Sequence, residues 1–265
     1  MIPLYDVVVC TKNSGLTLDA CLTALKNSGI PYGKIFIIDK HSLDGTKEIA
    51  EKHECIYIGI SVGCAEARII GAKMCESEYF INLDSDLIVP TNFYENLEPY
   101  ITANFITKGI YRNVLPIKDK AIADRDHYWM LHNIGSLDCC FIHRDTFLKL
   151  SSDWVSRGLD AGEDTDLYVK CERLGLKVHQ DTCVISEHHV FSVLRILKQT
   201  RWYGAGSRKG RITGRFTITR PHLLPAEMCL FPLMGFVEMF KFHSVKLFFY
   251  ECAKMIFWFW GWFLG

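Results

Sequence analysis

The chain has 265 residues, 49% of them hydrophobic and 23% charged, with 30 basic and 30 acidic side chains. That size and apolar content bury a substantial core, which excludes a disordered polymer and allows one large domain or a domain with an appendage. Zero net charge removes the global positive field of a nucleic-acid binder, so no nucleic-acid partner is expected.

Residues 6–10 (Asp-Val-Val-Val-Cys), apolar after the first, predict a buried strand, followed by the polar loop 11–15. Residues 16–26 carry Leu18, Cys21, Leu22 and Leu25 at helical period, and Gly29 and Pro31 end that helix. Residues 34–39 give a second strand that closes on Asp39, and the capping residues of 42–46 open a helix over 46–53. A third strand is predicted over 55–60 and a helix over 63–75. A fourth strand over 79–83 leads into Asp84-Ser85-Asp86. The alternation of strand and helix predicts an α/β fold with a parallel sheet, in which ligands gather at the carboxyl ends of strands. Three polar clusters fall there: the loop with Thr11 and Asn13, Asp39, and the pair Asp84 and Asp86.

Two acids flanking one residue after a strand can form a solvated turn with Asx hydrogen bonds, or can converge on one hard cation. Further on, Glu163 and Asp164 precede a helical stretch that Gly175 breaks. First-turn acids there can cap the helix or serve as a general base. His188 and His189 follow a strand-like 182–186. Eleven cysteines show no C-x-x-C pair, and no leader pattern precedes the first strand, so reduced cytosolic thiols are expected. Adjacent Cys139 and Cys140 are poorly placed to chelate one zinc ion.

These features occur in an order that resembles a family-2 glycosyltransferase of the GT-A fold, over about residues 4–206. The matching segments are 7–13, Ile37-Ile38-Asp39 with Asp44-Gly45-Thr46, Gly63 to Arg68 with Gly71, Asp84-Ser85-Asp86, Gly162 to Leu167 with Gly175, and His188-His189 ahead of Arg201-Trp202-Tyr203-Gly204. The resemblance implies a GT-A domain over 1–206 and a basic, then apolar, helical region over 207–265. It implies that Asp86, Asp84 and His188 (with His189 as the alternative) hold Mn²⁺ or Mg²⁺; mixed carboxylate and imidazole ligands suit Mn²⁺ somewhat better. Thr11, Asn13, Asp39, Arg68, Asp84, Arg201 and Trp202 are then expected on the nucleotide-sugar donor. Asp164 is the expected general base of an inverting transfer, with Glu163 supporting the acceptor. Lys40 stands where the family pattern carries a second acid, and Gln199 lies one residue too close to Arg201 for the Gln-x-x-Arg-Trp signature. The Gly204-Ala205-Gly206 stretch predicts a mobile lid.

Between Glu187 and Glu227 there is no acid, while Arg195, Lys198, Arg201, Arg208, Lys209, Arg211, Arg215 and Arg220 accumulate. The apolar stretches 223–240 and 245–265 follow, broken by Pro225, Glu227, Pro232, Glu238, Lys246, Glu251 and Lys254 and rich in Phe and Trp near 257–260. This pattern predicts interfacial or re-entrant helices at the cytoplasmic face of a membrane, either lying on it or anchored by the C-terminal region, with a buried C-terminal helical hairpin as the alternative. The expected activity is metal-dependent transfer from a nucleotide sugar to a lipid-linked, glycan or other membrane-proximal acceptor. A sugar-nucleotidyltransferase and a non-catalytic nucleotide-sugar-binding adaptor are the alternatives, and no oligomeric state is implied.

Overall fold

The computed structural model describes residues 4–132, 136–190, 192–212 and 224–264. Eight strands form one mixed sheet in the order β3-β2-β1-β4-β7-β6-β8-β5. Its first half is the parallel unit expected: β1 (Tyr5–Thr11), β2 (Tyr32–Asp39), β3 (Ile56–Gly59) and β4 (Tyr79–Leu83), with α1 (Leu18–Lys26), α2 (Thr46–Lys52) and α3 (Cys64–Met74) as crossovers. These strands read as continuous apolar runs because helices cover both sheet faces. Val7 and Val9 point into one core with Leu22, Ile37 and Ile81. Val8 points into the other with Phe36, Ile38 and Phe80. Each such side chain contributes about 1.5–3 kcal/mol by leaving water. Helix α3 reaches the sheet closely because Gly71 lies on Val8, where a Cβ would collide with the valine methyls.

Apart from the helix expected at Glu163 and the strand expected over 182–186, the second half of the sheet has no counterpart among the predicted elements. It adds β5 (Leu87–Ile88), α4 (Phe93–Ile101), β6 (Ile106–Val114), α5 (Lys120–His132), β7 (Cys139–His143) and α6 (Arg144–Leu150). Then come α7 (Glu163–Leu174) and β8 (Val178–His189). Strand β7 runs antiparallel to both β4 and β6, β8 runs parallel to β6, and β5 pairs antiparallel with the end of β8. The strand expected over 182–186 is thus longer and includes both histidines. Every described cysteine is free, and Cys139 and Cys140 are buried strand residues.

Three helices close the chain: α8 (Val193–Ile212), α9 (Leu224–Lys241) and α10 (Val245–Leu264). The expected boundary at residue 206 falls inside α8, which packs along α10. The hinge expected of Gly204 and Gly206 is corrected here. Both lie within this helix, and a Cβ on either would collide with the Trp258 carbonyl or with Ala161, so they permit close packing. Of the basic run, the side chains of Lys209 and Arg211 and all of Arg215 and Arg220 lie outside the described residues, as do the side chains of Pro225 and Glu227.

Glu238 and Glu251, two of the acids that interrupt the tail, are turned inward. Arg125 on α5 is 5% exposed. Its Nε donates to Glu238 Oε2 at 2.8 Å and its Nη1 to Asp126 Oδ1 at 3.0 Å, and Nη2 pairs with Glu251 Oε1 at 2.7 Å. The guanidinium also lies 5.3 Å from the Trp129 ring and 6.0 Å from that of Tyr250. Phe236, Val237, Phe240, Phe249, Ile256 and Phe263 instead keep half or more of their surface open. The described part of the helix pair thus buries these two acids beside Leu247, Tyr250 and Phe259 and leaves large apolar side chains outward, unlike an ordinary surface helix. Among the described residues no helix is long and apolar enough to cross a membrane.

Candidate active site

Two adjoining cavities lie at the carboxyl ends of β1, β2 and β4. The larger, of about 470 Å³, is lined by Thr11, Lys12, Lys40, Gly63, Asp160 and Trp202 among others. The smaller, of about 230 Å³, holds Asp84, Asp86, Asp138, Glu163 and Asp164 with Arg68 and His188. Cys10, Cys64 and Trp202 line both.

At the rim of the larger cavity, Asp39 is placed as expected at the end of β2, in register with Thr11. Its carboxylate is fully buried and taken up by the chain. Oδ1 accepts from Thr11 Oγ1 at 2.7 Å and Ser42 Oγ at 2.6 Å, and Oδ2 accepts from Ser42 N at 2.7 Å and the Tyr57 hydroxyl at 2.8 Å. Burial pushes its carboxyl up, and the hydrogen bonds outweigh that and hold it below the usual range. Four donors fill a carboxylate's lone pairs, so Asp39 and Thr11 brace the loop from within. Asn13 is exposed at φ 53 with its N–H on Ser42, and it lines neither cavity. Asp44 completes the brace, accepting from Gly15 N and Thr46 Oγ1.

The acidic recess is built from four elements. Arg68 on α3 is 7% exposed. Its Nη1 donates to Glu163 Oε1, its Nη2 lies 3.2 Å from Asp84 Oδ1, and its buried Nε has no hydrogen-bond partner. Gly162 at φ 81 turns the chain so that Glu163 and Asp164 open α7 facing this recess. Thr165 N–H donates to Asp164 Oδ1 at 2.7 Å, a cap within the first turn. Burial pushes the carboxyls of Glu163 and Asp164 upward against the pull of Arg68. Asp84 is pushed up to about 7, first by its depth and then by Asp86 and Asp138, with Arg68 opposing. Some 40% of the Asp84 side chain still faces the recess, whose confined volume limits the water that could solvate it.

The pairing of β5 with β8 sets Leu87 opposite His188 and so brings His188 to Asp86. His188 Nε2 lies 3.3 Å from Asp86 Oδ2, and Arg195 Nη2 on α8 donates to the same oxygen at 3.0 Å. Asn113 Nδ2 donates to Asp126 Oδ2 at 2.9 Å, which leaves its Oδ1 to accept from His188 Nδ1–H at 2.7 Å. That arrangement turns Nε2 toward the acids. Burial lowers the imidazole pKa, but the Asp86 hydrogen bond and charge raise it by more, for a net upward shift. His189 pairs with Glu187 instead.

Among the described residues no three His, Cys, Asp or Glu side chains stand ready as a metal set. The donor chemistry nevertheless suits a hard divalent cation, with carboxylate oxygens at Asp84 and Asp86 and an oriented imidazole at His188. The recess carries more acid than Arg68, Lys108 and Arg195 neutralise. Any anion entering it needs added positive charge.

Sequence reasoning missed the residues that tertiary packing recruits. Lys108 is fully buried on β6 and donates to Ser136 O and to Asp138 Oδ1. The available signal was a lysine inside an apolar strand, since such lysines are buried only when paired. Asp160 caps α3 through Cys64 N at 3.0 Å and touches Gly63. Arg201 corrects a further expectation: its guanidinium stacks on Trp260 of α10, 4.1 Å from the ring centre, and it lines neither cavity, while Trp202 lines both.

A family model described as glycosyl transferase family 2 matches residues 6–149. A cholesterol galactosyltransferase of Borreliella burgdorferi is 34% identical over 98 residues, 35% of this chain and 27% of that protein. The chain thus matches about a quarter of that relative's length. Among solved structures, Staphylococcus aureus TarS 1–349 has 13% identity and a TM-score of 0.51, over 96% of this chain and 89% of that one. Glucosyl-3-phosphoglycerate synthase from Mycobacterium tuberculosis, solved with Mn²⁺, UDP and glucosyl-3-phosphoglycerate, has 16% identity and a TM-score of 0.53, over 78% and 79% of the two chains.

Proposed function

The chain belongs to glycosyl transferase family 2, and from that premise we propose that it moves a hexose from a uridine-diphosphate sugar to a hydroxyl of a membrane-held lipid, with inversion at the sugar. The observation that carries this is the paired cavity: one half large and flanked by Lys12 and Lys40, the other small and acidic. The nucleoside fits the larger half and the diphosphate the smaller. Thr11, Lys12, Lys40 and Trp202 face the nucleoside, and Asp39 holds their loop in shape. Asp84, Asp86 and His188 would hold Mn²⁺ or Mg²⁺, which, when bound, neutralises charge growing on the leaving diphosphate.

The chain's own groups do the rest. Arg68 fixes Asp84 and Glu163 in one line. Asp164, with its carboxyl shifted up, takes the proton of the acceptor hydroxyl as that oxygen attacks. Glu163, held by Arg68, orients the acceptor. The likeness to a cholesterol galactosyltransferase supports a lipid alcohol as acceptor. UDP in solved neighbours makes uridine the first nucleotide to test.

The inside-out tail supports attachment to the cytoplasmic face of a membrane, where free cysteines stay reduced. The outer aromatic face of α9 and α10 enters the headgroup layer without spanning it. A panel of UDP-, GDP- and CMP-sugars, with and without Mn²⁺ and in the presence of sterol-containing vesicles, tests the whole reading. Turnover of a UDP-hexose that needs the cation and is lost in Asp86→Ala is expected. Absence of donor binding, or full activity in Asp86→Ala, would sink it.

A further inference from the structure

Beside the acidic recess opens another cavity, of about 360 Å³, which shares Tyr111, His188, Gln199 and Tyr203 with it. Its far wall comes from α5 and the tail: Trp129, Met130, Tyr250, Lys254 and Trp258. We propose that this cavity seats the acceptor, and that the end it seats is an uncharged alcohol and not a phosphate. The proposal rests on the glycosyl-transfer reading above and gives its acceptor a place in the fold.

Three observations carry it. The cavity borders the recess at the four shared residues, so a hydroxyl lying against them is next to the acids of the recess. Its aromatic walls suit the flat C–H faces of a sugar or sterol ring, with Tyr and Trp polar tips left to bond a hydroxyl. Its cations are already committed. Arg125 spends all three nitrogens on Asp126, Glu238 and Glu251, and Lys254 Nζ donates to Glu251 Oε1 at 3.2 Å. Asp126 stands in the wall and Glu238 and Glu251 lie buried behind it, so a phosphate here would have to compete with three carboxylates for cations they already hold. The same helix α10 that walls the cavity carries Phe249, Ile256 and Phe263 on its open side, where an acceptor's hydrocarbon would rest.

A neutral alcohol keeps its proton at neutral pH, so this acceptor requires a base, and the cleft has one in Asp164. The hydroxyl proton passes to the Asp164 carboxylate and the oxygen forms a bond to the anomeric carbon. The bond from that carbon to the diphosphate oxygen breaks, and its electron pair leaves with the nucleoside diphosphate.

The test uses the full chain with UDP-galactose or UDP-glucose and Mn²⁺ on phosphatidylcholine vesicles. These contain cholesterol, a diacylglycerol or undecaprenyl phosphate. Transfer to a neutral alcohol, and none to the phosphate, is expected. Met130→Trp on α5 and Ile196→Trp on α8, which fill the cavity from two helices, should raise the acceptor KM about tenfold or more without weakening UDP binding. Preferred transfer to undecaprenyl phosphate overturns the proposal. So does a failure to glycosylate either alcohol, or an unchanged acceptor KM in both variants once thermal melting shows them folded. Absence of UDP binding by the unaltered chain would instead bring down the glycosyl-transfer reading, and the acceptor site with it.

Discussion

Two buried arginines in this protein gather acids, and they do so to opposite effect. Arg125 has a partner for every guanidinium nitrogen and is flanked by Trp129 and Tyr250. Arg68 bridges Asp84 and Glu163 yet leaves a buried Nε without a partner, beside acids that outnumber its charge. The first cluster closes on itself and ties α5 to the tail helices. The second remains open to a cavity, and Asp84 is held near neutrality there by its depth and by Asp86 and Asp138. A guanidinium nitrogen left spare at Arg68, and none at Arg125, separates a cation with bonding capacity still open from one already committed. The clusters are joined through His188, Asn113 and Asp126, so the tail is coupled to the cleft by side-chain hydrogen bonds.

Variants that treat the two clusters differently test this contrast. Asp164→Asn should lower kcat by about 10²–10⁴-fold while the UDP Kd and thermal midpoint stay put; activity near that of the parent chain would remove the base from the recess. Arg125→Met should cost about 3–5 kcal/mol in urea unfolding, because Asp126, Glu238 and Glu251 lose their shared cation in the interior. Arg68→Met should cost less stability and more activity, and the reverse ranking would break the comparison. Asn113→Ala frees the His188 ring and should weaken Mn²⁺ binding by about 10–100-fold in calorimetry.

Asp39→Asn should lose about 1–3 kcal/mol, since one amide cannot accept all four hydrogen bonds. The Asp39 carboxyl lies below its unfolded value, so its contribution is present above the unfolded pKa and fades as pH falls through the folded one. The gap between parent and variant should therefore close in acid. The smallest effect is kinetic. The Asp164 carboxyl is shifted up, so the acid limb of kcat should inflect above the ordinary aspartate value of about 3.9 and rise with pH as the base ionises. A limb that persists in Asp164→Asn would assign it to another group.

Much of the recess was legible in sequence because it sits at strand ends, where an apolar run stops at an acid. Asp84, Asp86, Glu163, Asp164, Arg68 and His188 all line it. Other roles shifted for reasons of geometry. Arg201 and Trp202 are adjacent, but successive helical residues point in different directions, so Trp202 faces the cleft and Arg201 meets Trp260. Glycines at 204 and 206 suggested a hinge, while the helix they occupy uses them to approach Trp258 and Ala161.

The amino-acid sequence by itself determined the parallel half of the sheet, the periodic helices α1 to α3 and the ordered acids at strand ends. Each follows from local pattern: buried strands read as unbroken apolar runs, and helices as a 3.6-residue repeat. Tertiary structure alone decided which charges are shared and which are left over. Lys108 meets Asp138 across 30 residues, Arg125 meets Glu238 across 113, and a two-residue strand, β5, sets His188 against Asp86. Charge pairing and burial depend on contacts far apart in the chain, so the surplus of acid that marks the recess exists only once the sheet has closed.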